Sequence, residues 1–115
     1  MTSPPTTPFD HDVERYLLLL ASQRSPRTVD AYRRDLAAFG AHLGGPVLSA
    51  SAEAIEGWVA AMRADGLAAS TVARRVAAAR SFFRHQQLLG ARADNPAAEV
   101  DTPRRTKKLP RTLSP

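Results

Sequence analysis

SPRTVDAYRRDLAAFGAHL, running from Ser25 to Leu43, holds one helical repeat without a break. Ser25 suits an N-cap, because its hydroxyl can accept a hydrogen bond from an unpaired N–H of the first turn. Pro26 suits the first helical position, where its missing N–H would have had no partner. Val29, Tyr32, Leu36, Phe39 and Leu43 recur at spacings of three and four, which puts them on one face of an α-helix. Arg27, Arg34, Ala38 and Ala41 fall on the opposite face, with Ala31 beside them. One side is suited to packing, and the other opens with positive charge. Gly44-Gly45-Pro46 ends the helix, since Gly terminates helices readily and Pro cannot continue them.

Upstream, a first helix is expected from Phe9 or Asp10 to about Gln23. Asp10 and Asp12 suit its N-terminus, where the macrodipole favours negative charge. Val13, Tyr16, Leu17 and Leu20 form its apolar stripe. Leu18 and Leu19 widen that stripe and imply a helix covered on more than one side. The loop from Ser22 to Ser25 is short, so the second helix should return beside the first.

Downstream, Val47 to Ala50 is a connector, and Ser49 or Ser51 caps a third helix reaching about Asp65, with Glu53 in its first turn. Ile55, Val59 and Met62 line its apolar face, Trp58 is adjacent, and Gly66 closes it. A fourth helix, capped by Ser70 or starting a turn earlier, runs to about Leu89 and stops at Gly90. Val72, Val76, Ala79 and Phe83 make one stripe. Thr71, Arg75, Ala78 and Phe82 make a second face, with Arg74 and His85 alongside. Asn95 as cap and Pro96 at the first position read as a short helical turn. Four helices with short connections and no strand pattern give a compact all-α bundle. No internal repeat is evident. Residues 1–8, rich in Pro, Thr and Ser, are expected to be a disordered tail, and residues 9–101 the folded domain. Residues 102–115, with three prolines and five basic residues, are expected to be an extended linker.

The 115 residues suffice for one hydrophobic core, and 43% of them are hydrophobic, so the chain is not disordered throughout. The absence of cysteine excludes a disulfide framework and a thiolate metal site. No apolar run approaches the roughly 20 residues of a membrane span. The N-terminus lacks the basic start and apolar core of a signal peptide. A soluble cytoplasmic protein with no membrane partner is expected.

Enzyme chemistry has little to stand on in these residues. His11, His42 and His85 are scattered without paired-ligand spacing, so no metal site is expected. No glycine-rich phosphate loop is present, and the six glycines mostly sit at helix ends. No cofactor is implied. Tyr16 and Tyr32 each occupy an apolar-stripe position, which reads as core packing with the hydroxyl at the rim rather than as a nucleophile. The acidic residues read mostly as solvated charge on exposed faces.

The net charge is +5, and its distribution is uneven. From Asp101 onward Arg104, Arg105, Lys107, Lys108 and Arg111 face one aspartate, a net +4, which leaves only +1 for the rest. A basic patch on the folded part must therefore come from segregation of charge. Arg24 and Arg27, with Thr28, stand at the start of the second helix. Ser70, Thr71, Arg74, Arg75 and Arg80 stand at the start and middle of the fourth. Helix N-termini present free N–H groups and a positive dipole end, and hydroxyls or arginines there can meet phosphate or reach base edges. Two readings follow from this pattern. Either the two helix starts lie side by side as a DNA-facing patch, or they are solvated faces with local ion pairs, such as Arg33 or Arg34 with Asp30 or Asp35.

These residues also resemble a known family. Ser25-Pro26-Arg27-Thr28-Val29-Asp30-Ala31-Tyr32-Arg33-Arg34-Asp35-Leu36 is similar to the T-x-x-x-Y-x-x-D-L element of Xer-type tyrosine recombinases. Ser70-Thr71-Val72-Ala73-Arg74-Arg75-Val76-Ala77-Ala78-Ala79-Arg80-Ser81-Phe82-Phe83 resembles that family's S-T-x-x-R-x-L-S-A-L-R-x-F-[FY]. Asp94-Asn95-Pro96-Ala97 matches its D-N-P-A turn. The ending Pro103-Arg104-Arg105-Thr106-Lys107-Lys108-Leu109-Pro110-Arg111-Thr112-Leu113-Ser114 looks like its P-x-x-x-x-x-L-P-x-x-L-S interdomain linker. The four elements occur in the family's order and spacing. Three departures stand out: Ala68 where Ser is frequent, and Ala77 and Ala79 in place of S and L.

The resemblance implies the N-terminal core-binding domain, a SAM-like orthogonal four-helix unit. In that family this domain and a C-terminal catalytic domain clamp duplex DNA, and the second and fourth helices face it. The catalytic domain carries the nucleophilic tyrosine that forms a 3′-phosphotyrosine link. Neither Tyr16 nor Tyr32 matches that tyrosine, so this chain is expected to bind DNA without cutting it. Thr28, Arg74 and Arg80 match polar positions of the DNA-facing helices. For Arg80 a buried ion pair and a DNA contact both stay open. Arg24, Arg27, Arg34, Ser70, Thr71 and Arg75 are added on helix geometry and charge. The implied partners are double-stranded DNA and sister recombinase subunits, acting as a tetramer in chromosome-dimer resolution or integration. Two other classes compete: a helical protein-interaction module anchored by Trp58 or Phe82, and a helix-turn-helix regulator, which the long fourth helix fits poorly.

Overall fold

The structure is a computed structural model and describes residues 10–102. The expected N-terminal tail (1–8) and most of the expected linker (102–115) lie outside the described residues. Within them the elements are α1 (His11–Ala21), α2 (Pro26–Leu43), a short 3-10 turn (Val47–Ser49), α3 (Ala52–Ala64) and α4 (Ala69–Leu88). Among the described residues there is no strand. None of the helices is long and apolar enough to cross a membrane.

The helix starts follow from side-chain capping. Asp10 Oδ1 accepts from the N–H groups of Asp12 (3.1 Å) and Val13 (3.2 Å), so α1 starts at His11. The other oxygen of Asp10 accepts from Val47 N–H at 3.0 Å, which ties the head of α1 to the connector after α2. Ser25 caps α2 through Thr28 N–H, and Ser51 caps α3 through Ala54 N–H. Gly44 ends α2 at φ 74°, a left-handed conformation that costs glycine little, and its N–H donates to Gly40 O at 2.8 Å. α4 is the exception. Ala68 stands at its N-cap and supplies no side-chain hydrogen bond, so Ser70 lies inside the first turn rather than capping it.

α2 and α4 each pack against all the other helices. Both expected faces of α4 are covered: Val72, Val76, Ala79 and Phe83 on one, Ala78 and Phe82 on the other. Phe39 of α2 stacks on Trp58 of α3 with ring centroids 4.6 Å apart. Tyr16 of α1 meets Phe82 edge-on at 5.6 Å, and its hydroxyl bonds Ser81 Oγ at 2.6 Å. Tyr16 is therefore a core residue with its polar tip satisfied, as its place on the stripe implied. Trp58 and Phe82 are buried in this core, which removes both anchors of the protein-interaction reading.

Burial corrects two further expectations. Leu18 and Leu19 do not join a second covered face: they are 75% and 46% exposed, because α1 turns only Val13, Tyr16, Leu17 and Leu20 inward. Asp35 is not a solvated acid of an exposed face. It is fully buried, for the reason given below.

Candidate nucleic-acid interface

Asp35 lies three residues after Tyr32 and four before Phe39, so the helical period carries it onto the inward face of α2. A buried carboxylate needs partners, since desolvating an unpaired charge costs several kcal/mol. α4 supplies them. Arg74 Nη2 donates to Asp35 Oδ1 at 2.7 Å, and Arg74 Nε donates to Oδ2 at 3.1 Å. Such a bidentate pair is the strong form of a charge-assisted hydrogen bond. Arg75 comes from the side: its Nε is 3.7 Å from the same Oδ1, and its Nη1 is 3.9 Å from Met62 Sδ of α3. The Arg75 Nε is buried and makes no hydrogen bond. The carboxylate holds the Arg74 guanidinium charged, above its ordinary value.

This junction is closed on one side and open on the other. The Asp35 side chain is 1% exposed, whereas that of Arg74 is 54% exposed. The pair joins α2 to α4 and delivers a guanidinium to the surface between them. The local pairs of Arg33 or Arg34 with Asp30 or Asp35, one of the two readings of the charge pattern, do not form. Arg33 reaches instead to Glu14 of α1 at 2.6 Å, and Asp35 turns to α4.

The remaining candidates distribute as follows. Arg24 is exposed in the α1–α2 loop, and Arg27 and Arg34 are exposed on α2. Those two are seven residues apart, two helical turns, and so share a face. Thr28 is half-buried, and its Oγ1 accepts from the Ser25 hydroxyl at 3.1 Å. Ser70 is exposed and Thr71 half-buried in the uncapped first turn of α4. Ser70 and Arg74, four residues apart, share a face.

Arg80 stands apart. Six residues beyond Arg74, it lies about 120° around the helix. Its Nε donates to Ala97 O at 3.1 Å and its Nη2 to Val100 O at 3.5 Å. Asn95 completes the arrangement, donating from Nδ2 to Arg80 O at 3.1 Å and accepting from Ala97 N–H at 3.0 Å. Arg80 thus holds the turn after α4 through carbonyls, and the buried ion pair left open for it does not form. Arg92 does similar work nearby. It donates to the carbonyls of Leu48 and Ala50, pairs with Asp94 at 2.6 Å and lies over the Phe83 ring. Arg92 holds the exposed Asp94 carboxyl below its ordinary value.

Asp35 and Arg92 are the residues the sequence reading missed. A signal existed for Asp35, which falls on the apolar stripe. For Arg92, which sits in a loop, no periodicity could have found its carbonyl partners.

A four-helix unit with this helix order and an arginine delivered between α2 and α4 can be compared with known proteins. The profile of the family described as phage integrase, N-terminal SAM-like domain, matches residues 13–87. The chain belongs to that family. This SAM-like domain is 39% identical, over 112 aligned residues, to tyrosine recombinase XerC of Chromohalobacter salexigens, covering 88% of this chain and 35% of that protein. It is 32% identical over 107 residues to tyrosine recombinase XerD of Rhizobium meliloti, covering 89% and 34%. Among solved structures it resembles an integrase from mycobacterium phage Brujita, with a TM-score of 0.73 and 29% identity over 86% of this chain and 34% of that one. The SAM-like domain therefore spans about a third of the length of the relatives it matches.

Proposed function

We propose that this chain is the duplex-DNA-binding, core-binding domain of a site-specific tyrosine recombinase of the Xer kind, serving chromosome-dimer resolution or integration. The observation that carries the reading is the Arg74 guanidinium, fixed by Asp35 between α2 and α4 and half open to solvent. An always-charged planar fork at a helix–helix seam is the group best suited to phosphate and base-edge acceptors. Arg24, Arg27 and Arg34 offer exposed charge on α2 and the loop before it, and Arg75 follows Arg74 on α4 and approaches the same carboxylate. Ser70 and Thr71 offer hydroxyls at a helix start whose N–H groups no side chain caps. Thr28 is the matching hydroxyl at the start of α2. The part of Arg80 in this proposal is to support α4 and the turn that follows it.

In the same reading, residues 9–101 form the binding domain and 102–115 lead toward a catalytic domain that cuts and rejoins strands. Sister subunits then assemble on the DNA in pairs and tetramers. The basic residues beyond Asp101 add sequence-independent attraction to the duplex.

The test is a salt titration of duplex binding by fluorescence anisotropy. With about five phosphates neutralised, log K should fall against log salt with a slope of roughly −4 to −5. Arg74→Ala should weaken binding by about 1–3 kcal/mol if Arg74 reads a base, and by less if it meets phosphate alone. Binding that does not change between low and moderate salt would remove the electrostatic basis of the proposal.

A further inference from the structure

Asp35 is an odd residue to find beneath a DNA-binding surface, because it subtracts charge where charge is wanted. Its geometry suggests what it contributes instead. A guanidinium carries five N–H donors in a rigid plane. Asp35 occupies the Nε–Nη2 edge of Arg74 with both oxygens, at 3.1 and 2.7 Å. The Nη1–Nη2 edge, with two parallel N–H groups, is not used by Asp35. That edge matches a pair of acceptors, either two phosphate oxygens or O6 and N7 of guanine. The carboxylate itself is anchored: it is fully buried on α2 and flanked by Arg75, which contacts Met62 of α3. Three helices therefore fix the carboxylate that fixes the fork.

We propose that Asp35 is a positioning residue for DNA binding, gripping one edge of Arg74 so that the other is aimed at a paired acceptor on the duplex. The proposal rests on the DNA-binding reading above and adds to it a defined orientation of the contact. An arginine held in advance loses less side-chain freedom on binding than a free one, which strengthens the contact without adding any new one.

The sign of one substitution separates positioning from simple charge. Asp35→Asn raises the net charge from +5 to +6, so if Asp35 only screens Arg74 the variant binds duplex more tightly. If Asp35 positions Arg74, the variant binds about five- to tenfold more weakly, because the amide cannot accept two charge-assisted bonds. The measurement is fluorescence anisotropy at fixed salt with the 115-residue chain, its Asp35→Asn and Arg74→Ala variants and the double variant. Circular dichroism confirms that each one folds. Positioning requires that Asp35→Asn add nothing once Arg74 is alanine. Tighter or unchanged binding by Asp35→Asn, or an equal loss in both backgrounds, overturns the proposal. Failure of the unsubstituted chain to bind any duplex overturns the DNA-binding reading itself, a different result. Should Asp35→Asn not fold, the side-chain NMR signals of the unsubstituted chain decide. The Arg74 Nε–H should be protected from exchange before duplex is added and stay so afterwards, while its Nη signals shift. Loss of that protection on DNA overturns the proposal. A duplex carrying 7-deazaguanine identifies the acceptor: weaker binding assigns the free edge to guanine, and unchanged binding assigns it to phosphate.

Discussion

Tyr16 Oη and Ser81 Oγ stand 2.6 Å apart and pin α1 to the middle of α4. The Tyr16 ring is buried, edge-on to Phe82 and 5.5 Å from the His85 ring. Tyr16→Phe keeps those ring contacts and deletes only the hydroxyl. We expect a loss of about 0.5–1.5 kcal/mol, the net worth of one hydrogen bond, with Ser81 left half-buried and able to turn toward water. Urea unfolding followed by circular dichroism should show a lower midpoint with an unchanged slope. An unchanged midpoint would mean that the bond contributes nothing.

The same phenol sets an alkaline limit. Burial pushes the Tyr16 pKa above its ordinary 10.0, and the Ser81 hydrogen bond offsets only part of that rise. A raised pKa means that folding favours the protonated form. The contribution is complete below the unfolded value of 10.0 and disappears as pH rises through the folded value. Stability should therefore decline with pH above about 10. Tyr16→Phe should flatten that decline, measured as urea midpoint against pH. A variant with the same alkaline slope as the unsubstituted chain would place the titration elsewhere.

The helices were legible because each of α2 and α3 carries one apolar stripe and one side-chain cap, and the spacing of Val29, Tyr32, Leu36 and Phe39 points to a single inward face. α4 was legible as a helix with two apolar faces, but not in what covers them. Its two apolar faces, with Val72 and Phe83 on one and Ala78 and Phe82 on the other, are both covered, and only the fold says by what. The arginines were harder, because a guanidinium's partner is set by tertiary approach rather than by sequence distance. Arg33 crosses to α1, Arg74 to α2 and Arg80 to the turn at Ala97, separations of 19, 39 and 17 residues. A reading based on neighbours three or four apart could reach none of them. Leu18 and Leu19 misled for the opposite reason. A run of four leucines reads as all-round burial, yet two of them point to solvent.

Arg80 and Asn95 give a prediction that separates folding from binding. Arg80→Ala leaves the carbonyls of Ala97 and Val100 without their donor, and both residues are buried. Removing one partner of a buried polar group costs about 1–3 kcal/mol. Thermal unfolding should show that loss. The salt slope of duplex binding should stay unchanged, because the guanidinium faces the C-terminal turn. A flatter slope with unaltered stability would instead make Arg80 a phosphate contact. Asn95→Ala should reproduce the stability loss, since it removes the bond to Arg80 O and frees Ala97 N–H.

Ser51 and Ser70 look alike in the sequence, each near the start of a helix, and the structure gives them different work. Ser51 caps α3 through Ala54 N–H at 3.1 Å, so Ser51→Ala should cost about 1 kcal/mol of stability. Ser70 is exposed within the first turn of α4 and caps nothing. Ser70→Ala should shift stability by less than about 0.5 kcal/mol, as surface substitutions away from special features do. Under the proposed function the order reverses for DNA. Ser70→Ala removes a hydroxyl from the helix start offered to phosphate and should weaken duplex binding, whereas Ser51→Ala should leave binding by the folded fraction intact. Paired denaturation and anisotropy measurements on the two variants test both halves. Loss of binding with Ser51→Ala and none with Ser70→Ala would move the DNA surface from the start of α4 to that of α3.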